Sequence, residues 1–371
     1  MTRLYAGLLS CALLVGTAAV RAQEVAPILH HTFDASDEGW AAHGVNARAT
    51  VDHQHPLEGA GALRLDYDLQ RNRFGLVTVQ TPAGSLAGAR SIRFSAFANS
   101  HTTLAVLVQT PGGTWMAPFT VNKGAWQRVE ISTYDFVPIT PAPSASPDAR
   151  LSMEQATALS VGDAAVLIGL LGNDDVARLL GIGTGPRVLR IDSFSVTREA
   201  LPGGYTARDG AVFADTFARP HLGWIALGGA TLRRIVSRTP EERGLEARYE
   251  QAPQRLVAFM RPIPRGRLRG MSRLDMGISS ATAGLIVVQL EEAGGGKFNS
   301  IVEMPQQGGH RALSLELATL TPADDSTVRD RPIDVERVTH LVVIDATGML
   351  GRPTPAANTL TVTGLRFRPA E

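Results

Sequence analysis

The chain is almost without cysteine. Its 371 residues hold one, Cys11, inside an apolar N-terminal run. Beyond it there can be no disulfide, no thiolate nucleophile and no cysteine-ligated metal. Charge of either sign is not in excess: 36 Lys and Arg stand against 35 Asp and Glu. A surface so balanced lacks the clustered Lys and Arg that phosphate backbones demand, so nucleic acid is excluded as a partner. After the first residues no run is long and apolar enough to cross a membrane. Aromatics are few, 6% of the chain with four Trp, so each Trp can be weighed singly.

Motifs of catalysis are missing as well. No G-x-S-x-G elbow occurs. Ala293 to Phe298 ("AGGGKF") lacks the spacing of a phosphate loop and lies between two strand-like runs, so it reads as a hairpin. Gly181 to Gly185 ("GIGTG") reads as a turn. His30-His31 and His53-Gln54-His55 have no third ligand at a useful spacing. The pairs Asp324-Asp325 and Glu241-Glu242 sit in polar loops, whereas a glycosidase sets two carboxylates across a cleft.

What is present begins with an export signal. Arg3 gives a positive start, an apolar run covers Leu4 to Val20, and Val20-Arg21-Ala22 offers small residues for cleavage, giving a signal peptide over 1–22. An uncleaved anchor is the first rival, but the run is short for a span of about 20 residues. Lipidation at Cys11 is the second, but the apolar run continues past it. Cleavage removes Arg3 and Arg21 and takes the formal charge from +1 to −1. An exported chain without disulfides points to a bacterial periplasm or exterior, and its stability must come from core burial, which ~170 residues per domain can supply.

The mature chain alternates turn-rich stretches with short runs rich in Val, Ile, Leu and Phe, such as "ALRLDY", "SIRFSAF", "LIVVQLEE" and "TLTVTGLRF", punctuated by 37 Gly and 22 Pro. This is the pattern of an all-β sandwich or barrel. "SMEQA", with Ser152 and Gln155 spaced as a capping box, predicts one helical turn, and "NDDVARLLG" another. The chain also repeats itself. Phe33 followed by Gly39-Trp40 matches Phe217 followed by Gly223-Trp224. Gly61 to Tyr67 is echoed by Gly244 to Tyr249, "LAVLVQTPGGTW" from Leu104 by "LIVVQLEEAGGGKF" from Leu285, and "AWQRVEIS" by "GHRALSLE", which sets His310 where Trp126 stands. The order predicts two tandem antiparallel β-sandwich domains, over 28–199 and 206–371. The linker is Ala200 to Thr206, whose Pro and paired Gly break a strand. The Pro-rich "VPITPAPSASP" reads as a loop within the first.

The first half resembles the jelly-roll, galactose-binding-like carbohydrate-binding modules and the related domain of complex I intermediate-associated proteins. The resemblance rests on Phe33-Asp34 with Gly39-Trp40, on Gly61 to Leu65 with Tyr67, on Trp126 to Ile131 running to Phe136, and on Ile191 to Phe194. The second half resembles the same fold through its likeness to the first. The resemblance implies an oligosaccharide site on a concave sheet face. It also implies one structural calcium at Asp34 and Asp192, since calcium takes hard carboxylate and carbonyl oxygens. Ala218 and Thr363 stand at the matching positions of the second half, so no second calcium is implied.

Within that frame Trp126 reads as a structural peg at a strand entry rather than a ligand platform. Trp115, after the Gly112-Gly113 hairpin, is the platform candidate, because an apolar sugar face stacks on a flat aromatic. Arg71, Arg73, Gln80 and Gln109 are the candidate hydrogen-bonding partners of sugar hydroxyls, each with a solvated surface role as the plainer reading. Trp40 and Trp224 read as structural. The expectation is an exported, non-catalytic carbohydrate-binding protein. A periplasmic interaction or assembly factor with a protein partner is the alternative from another class, and a polysaccharide lyase or hydrolase a third.

Overall fold

The computed structural model describes residues 26–44, 46–69, 75–141, 150–163, 185–201, 205–207, 209–305, 309–350 and 357–370. The signal segment 1–22 with Cys11, and the stretch "NDDVARLLG", lie outside the described residues.

Among the described residues the first unit has twelve strands: β1 (Leu29–His31), β2 (Ala41–His43), β3 (Arg48–Asp52), β4 (Ala62–Leu69), β5 (Leu76–Gln80), β6 (Ser91–Ala98), β7 (Thr102–Thr110), β8 (Gly113–Val121), β9 (Gln127–Ser132), β10 (Val137–Pro141), β11 (Ala158–Asp163) and β12 (Gly185–Thr197). Their order is β3-β4-β12-β6-β9 in one sheet, with β1 beside β12, and β10-β8-β7-β11-β5-β2 in the other. The second unit has β13 (Val212–Phe213), β14 (Ile225–Leu227), β15 (Thr231–Ile235), β16 (Gly244–Tyr249), β17 (Val257–Pro262), β18 (Met271–Ser280), β19 (Gly284–Glu292), β20 (Lys297–Met304), β21 (Gly309–Glu316), β22 (Thr321–Pro322), β23 (Val338–Asp345) and β24 (Asn358–Pro369). Its sheets run β15-β16-β24-β18-β21, with β13 beside β24, and β14-β17-β23-β19-β20-β22. Read from its far end, the last sheet repeats the strand order of its counterpart. The protein is therefore all-β: two antiparallel sandwiches of jelly-roll type.

Period-two alternation builds each sandwich. In β4, Leu63, Leu65, Tyr67 and Leu69 are buried while Arg64, Asp66 and Asp68 stand half-exposed. The inward residues of both sheets form one core per unit. Burying each such Leu or Phe stabilises by about 1.5–3 kcal/mol. Trp40 and Trp224 lie at the centre, 1% and 0% exposed. A buried indole must place its N–H. Trp40 donates to His31 Nδ1 at 2.8 Å and Trp224 to Asp215 Oδ2 at 3.0 Å, each across nine residues. Phe33 and Phe217 reach these cores from left-handed backbone, φ 61° and 48°.

Two local readings are corrected. Met153–Gln155 is one 3₁₀ turn, but Ser152 makes no side-chain cap. The capping box forms instead at Ser132 and Asp135: Asp135 Oδ2 accepts from the Ser132 amide at 2.9 Å, and Ser132 Oγ accepts from the Tyr134 amide at 3.3 Å. The segment from Val137 begins as strand β10 rather than as loop. Its prolines are tolerated because β10 is an edge strand with a shifted register.

The two sandwiches dock through β8. Beyond the reach of β10 the outer half of β8 has an open edge, and residues 222–226 lie along it. The Thr120 amide donates to the Leu222 carbonyl at 3.0 Å, Thr120 Oγ1 to the Trp224 carbonyl at 2.8 Å, and the Ala226 amide to Thr103 Oγ1 at 3.1 Å. Beneath this seam Asp135 is buried. Its carboxylate accepts from Arg219 and from the Tyr205 hydroxyl, with Arg261 Nη2 at 3.8 Å. Burial alone would raise the Asp135 pKa, but the guanidinium groups of Arg219 and Arg261 overcome it and hold the acid at about 2. Arg261 also donates to the Gly223 carbonyl at 2.5 Å and to that of Ala214 at 3.2 Å. A Cβ at Gly223 would overlap that guanidinium, which is why glycine precedes Trp224.

Candidate functional site

Trp115 is not a platform. It sits opposite Val108 in β7, only 5% exposed, inside the first core. Trp115, Ala117 and Phe119 do share a face, as alternation requires, but that face is the inner one. Gln80 and Gln109 are exposed and share the outward face of the same sheet, each opposite Ala158 of β11. Arg71 and Arg73 lie outside the described residues. Much of this outward face is already committed. The hydroxyls of Thr78 and Ser160 are 2.8 Å apart and buried, Ala105, Met116 and Val137 form a small apolar cluster, and Thr103 and Thr120 hold the second unit.

Asp34 and Asp192 converge on one loop as hydrogen-bond acceptors. Asp34 Oδ1 takes the Ala60 amide at 2.5 Å, which lowers its pKa. Asp192 Oδ2 takes the amides of Leu57 and Glu58 at 2.7 and 2.9 Å, and Oδ1 takes the Ser193 hydroxyl at 3.3 Å. Asp192 is buried. Both carboxylates thus anchor residues 57–60, Asp192 from β12 and Asp34 from the segment that follows β1. Among the described residues no group of three or more His, Cys, Asp or Glu is placed to hold a metal ion.

The outer face of the first sheet carries a feature that was missed. Register places Thr50 opposite Arg64, Arg64 opposite Arg190, and Arg190 opposite Phe97. Trp126, one residue before β9, continues this row. Its ring lies 5.8 Å from that of Phe97 at 52°, half-exposed and outside the core. The Arg190 guanidinium covers the Phe97 ring at 5.0 Å and donates to Asp52 Oδ2 at 2.7 Å. That contact, together with the amide of Gln54, overcomes the effect of burial and holds Asp52 at about 2. Arg64 makes two bonds to Asp66, at 2.7 and 2.8 Å. The result is a strip of planar groups, aromatic at one end and charged in the middle, each braced by a neighbour. Alternation alone signals it: in β6, Ile92, Phe94 and Ala96 point inward, so Phe97 must point outward. In the second unit the row ends differently. Ser279 and His310 occupy the places of Phe97 and Trp126, and Ser279 Oγ lies 3.0 Å from His310 Nδ1.

No protein-family model matches the chain, and no curated protein matches it in sequence. Solved structures with some likeness include carbohydrate-binding modules. The family 11 module of the cellulosomal cellulase Lic26A-Cel5E of Clostridium thermocellum is 13% identical, with a TM-score of 0.34, over 44% of this chain and 97% of that one. The tandem CBM22-1–CBM22-2 domain of Paenibacillus barcinonensis Xyn10C is 13% identical, with a TM-score of 0.29, over 93% of this chain and 98% of that one. The fold itself rests on the strand orders and cores described above.

Proposed function

We propose that the protein is an exported, non-catalytic carbohydrate-binding protein that takes a poly- or oligosaccharide on its first sandwich. The observation that carries this reading is the outward row ending in Phe97 and Trp126. A half-exposed indole offers the flat apolar surface on which a sugar's C–H face stacks. Half-exposed Arg64 brings planar donors, and Asp66 acceptors, to the same strip, matching the hydroxyls of a pyranose edge, while the buried Arg190–Asp52 pair braces it. Their mutual pairing fixes the geometry before a ligand arrives. Such a site is shallow and desolvates few groups, so affinity is modest.

Retention of the purified protein on a panel of polysaccharides tests this. Binding to a defined glycan, lost in Trp126→Ala and kept in a Gln80→Ala/Gln109→Ala double variant, supports the row. Binding that survives Trp126→Ala but not the double variant moves the site to the outward face of the other sheet. A folded protein retained by no glycan overturns the reading.

A further inference from the structure

A pocket of about 370 Å³ opens where the two sandwiches and their linker meet, within the size range of small-molecule sites. Arg90 and Arg150 come to it from the first unit, Tyr205 from the linker, and Arg219 and Arg267 from the second. No acidic side chain lines it. Arg267 lies flat on the Tyr205 ring, its guanidinium carbon 3.6 Å from the ring centre. Stacking holds the group in place and leaves its N–H edge free: among the described residues the Arg267 side chain makes no hydrogen bond and no ion pair, while its backbone amide donates to the Pro264 carbonyl at 3.1 Å. Arg90 is exposed at the mouth, and its side chain is likewise unpaired among the described residues. Burial lowers the pKa of Arg267, so its charge is held at a cost. The two carboxylates below do not meet that cost. Asp135 is taken by Arg219 and Tyr205. Asp215 is taken by the Trp224 indole and the Phe217 amide, with Arg261 3.7 Å away. Three guanidinium groups thus face two carboxylates at the base of the pocket. His221, beside them, accepts the Glu130 amide through Nδ1 and stays neutral, adding no charge of either sign.

We propose that this junctional pocket binds the oxyanion of a small ligand, a carboxylate or sulfate group, through the free edge of Arg267 and the side chain of Arg90. A guanidinium fork pairs with two oxygens of such a group at once, and a pocket walled partly by apolar chain strengthens the attraction relative to water. The oxyanion can be borne by an acidic sugar or be free in solution; the recognising chemistry is the same. The site is separate from the Phe97–Trp126 strip and does not depend on it.

Isothermal titration calorimetry of the purified protein decides the matter, with trigalacturonate, inorganic sulfate and neutral xylotriose as probes at low and high salt. The expected result is saturable binding of trigalacturonate that weakens with salt. It weakens at least tenfold in Arg90→Ala and in Arg267→Gln, and is unchanged in Arg233→Ala, which removes an exposed cation outside the pocket. Sulfate binding as tight as that of trigalacturonate, with the same sensitivity to Arg90 and Arg267, identifies the ligand as a free anion. Arg90→Ala leaves the buried network intact, so it remains informative if Arg267→Gln fails to fold. No binding of either anion, or binding unaffected by Arg90→Ala and by folded Arg267→Gln, overturns the proposal. So does xylotriose binding as tightly as trigalacturonate with the same sensitivity to Arg90→Ala and Arg267→Gln.

Discussion

Tyr67 donates its phenolic hydrogen to Asp163 at 2.8 Å inside the first sandwich, and Tyr249 does the same to Asp345 at 2.6 Å inside the second, each across 96 residues. Each bond ties the sheet containing its tyrosine to the opposite sheet. Burial pushes both tyrosines above the ordinary phenol range, and the facing carboxylates push them further, so both remain hydroxyl donors. Tyr67→Phe and Tyr249→Phe keep the rings and remove the donors. Each is expected to lower stability by about 1.5–3 kcal/mol, the worth of a hydrogen bond to a charged group, while Thr102 and Gln251 still donate to Asp163 and Asp345, as measured by urea unfolding. A loss within error at both positions would show that water replaces the hydroxyl.

His221 sets a pH dependence. Burial, with the nearby charge of Arg219, lowers its pKa from 6.5 to about 3. Between those values the unfolded chain binds a proton that the folded chain refuses, so stability falls as pH drops from 6.5 towards 3, by at most about 1.4 kcal/mol per pH unit. Asp135 adds a second loss only below its unfolded pKa of 3.8, as pH falls towards about 2. His221→Asn keeps an acceptor for the Glu130 amide and removes the titration. Thermal melts from pH 7 to pH 5 are expected to show a steeper decline in the native protein than in the variant. Parallel declines would mean that His221 is protonated in the fold.

The two tryptophans of the first unit should separate cleanly. Trp115→Ala empties a core site and is expected to cost about 3–5 kcal/mol. Trp126→Ala removes a half-exposed ring that rests on Phe97 alone among the aromatic rings described, so its melting temperature should stay near the native value while glycan retention is lost. A large fall in stability for Trp126→Ala would make it the structural peg that its place before β9 first implied.

Chelation tests the roles of Asp34 and Asp192. With both carboxylates engaged by loop amides, EDTA is expected to leave the melting temperature unchanged, whereas Asp192→Ala lowers it by freeing the amides of Leu57 and Glu58. A drop on chelation that added calcium restores would place the ion there after all.

Much of the fold could be read from spacing. The Phe33, Gly39-Trp40 and Phe217, Gly223-Trp224 frames mark the same corner of both sandwiches, and His310 does stand in the place of Trp126. Alternation sorted Trp115 with Ala117 and Phe119 correctly but could not say which face was inside, because Met116 and Pro118 on the other side are also apolar. Phe97 is legible by the same alternation, but it lies in a run that otherwise reads as core. The junction was not legible. Asp135 meets Arg219 and Arg261 only because β8 leaves an edge for residues 222–226, and nothing local in "STYDF" names a partner 84 residues away.

The seam along β8 also bears on how the protein can be taken apart. Trp224 fills the second core with its ring while its carbonyl receives the Thr120 hydroxyl. Cutting the chain in the linker would strip β8 of its cover and leave the Thr120 amide without the Leu222 carbonyl. Residues 28–199 produced alone would therefore expose an edge that the intact chain covers from within.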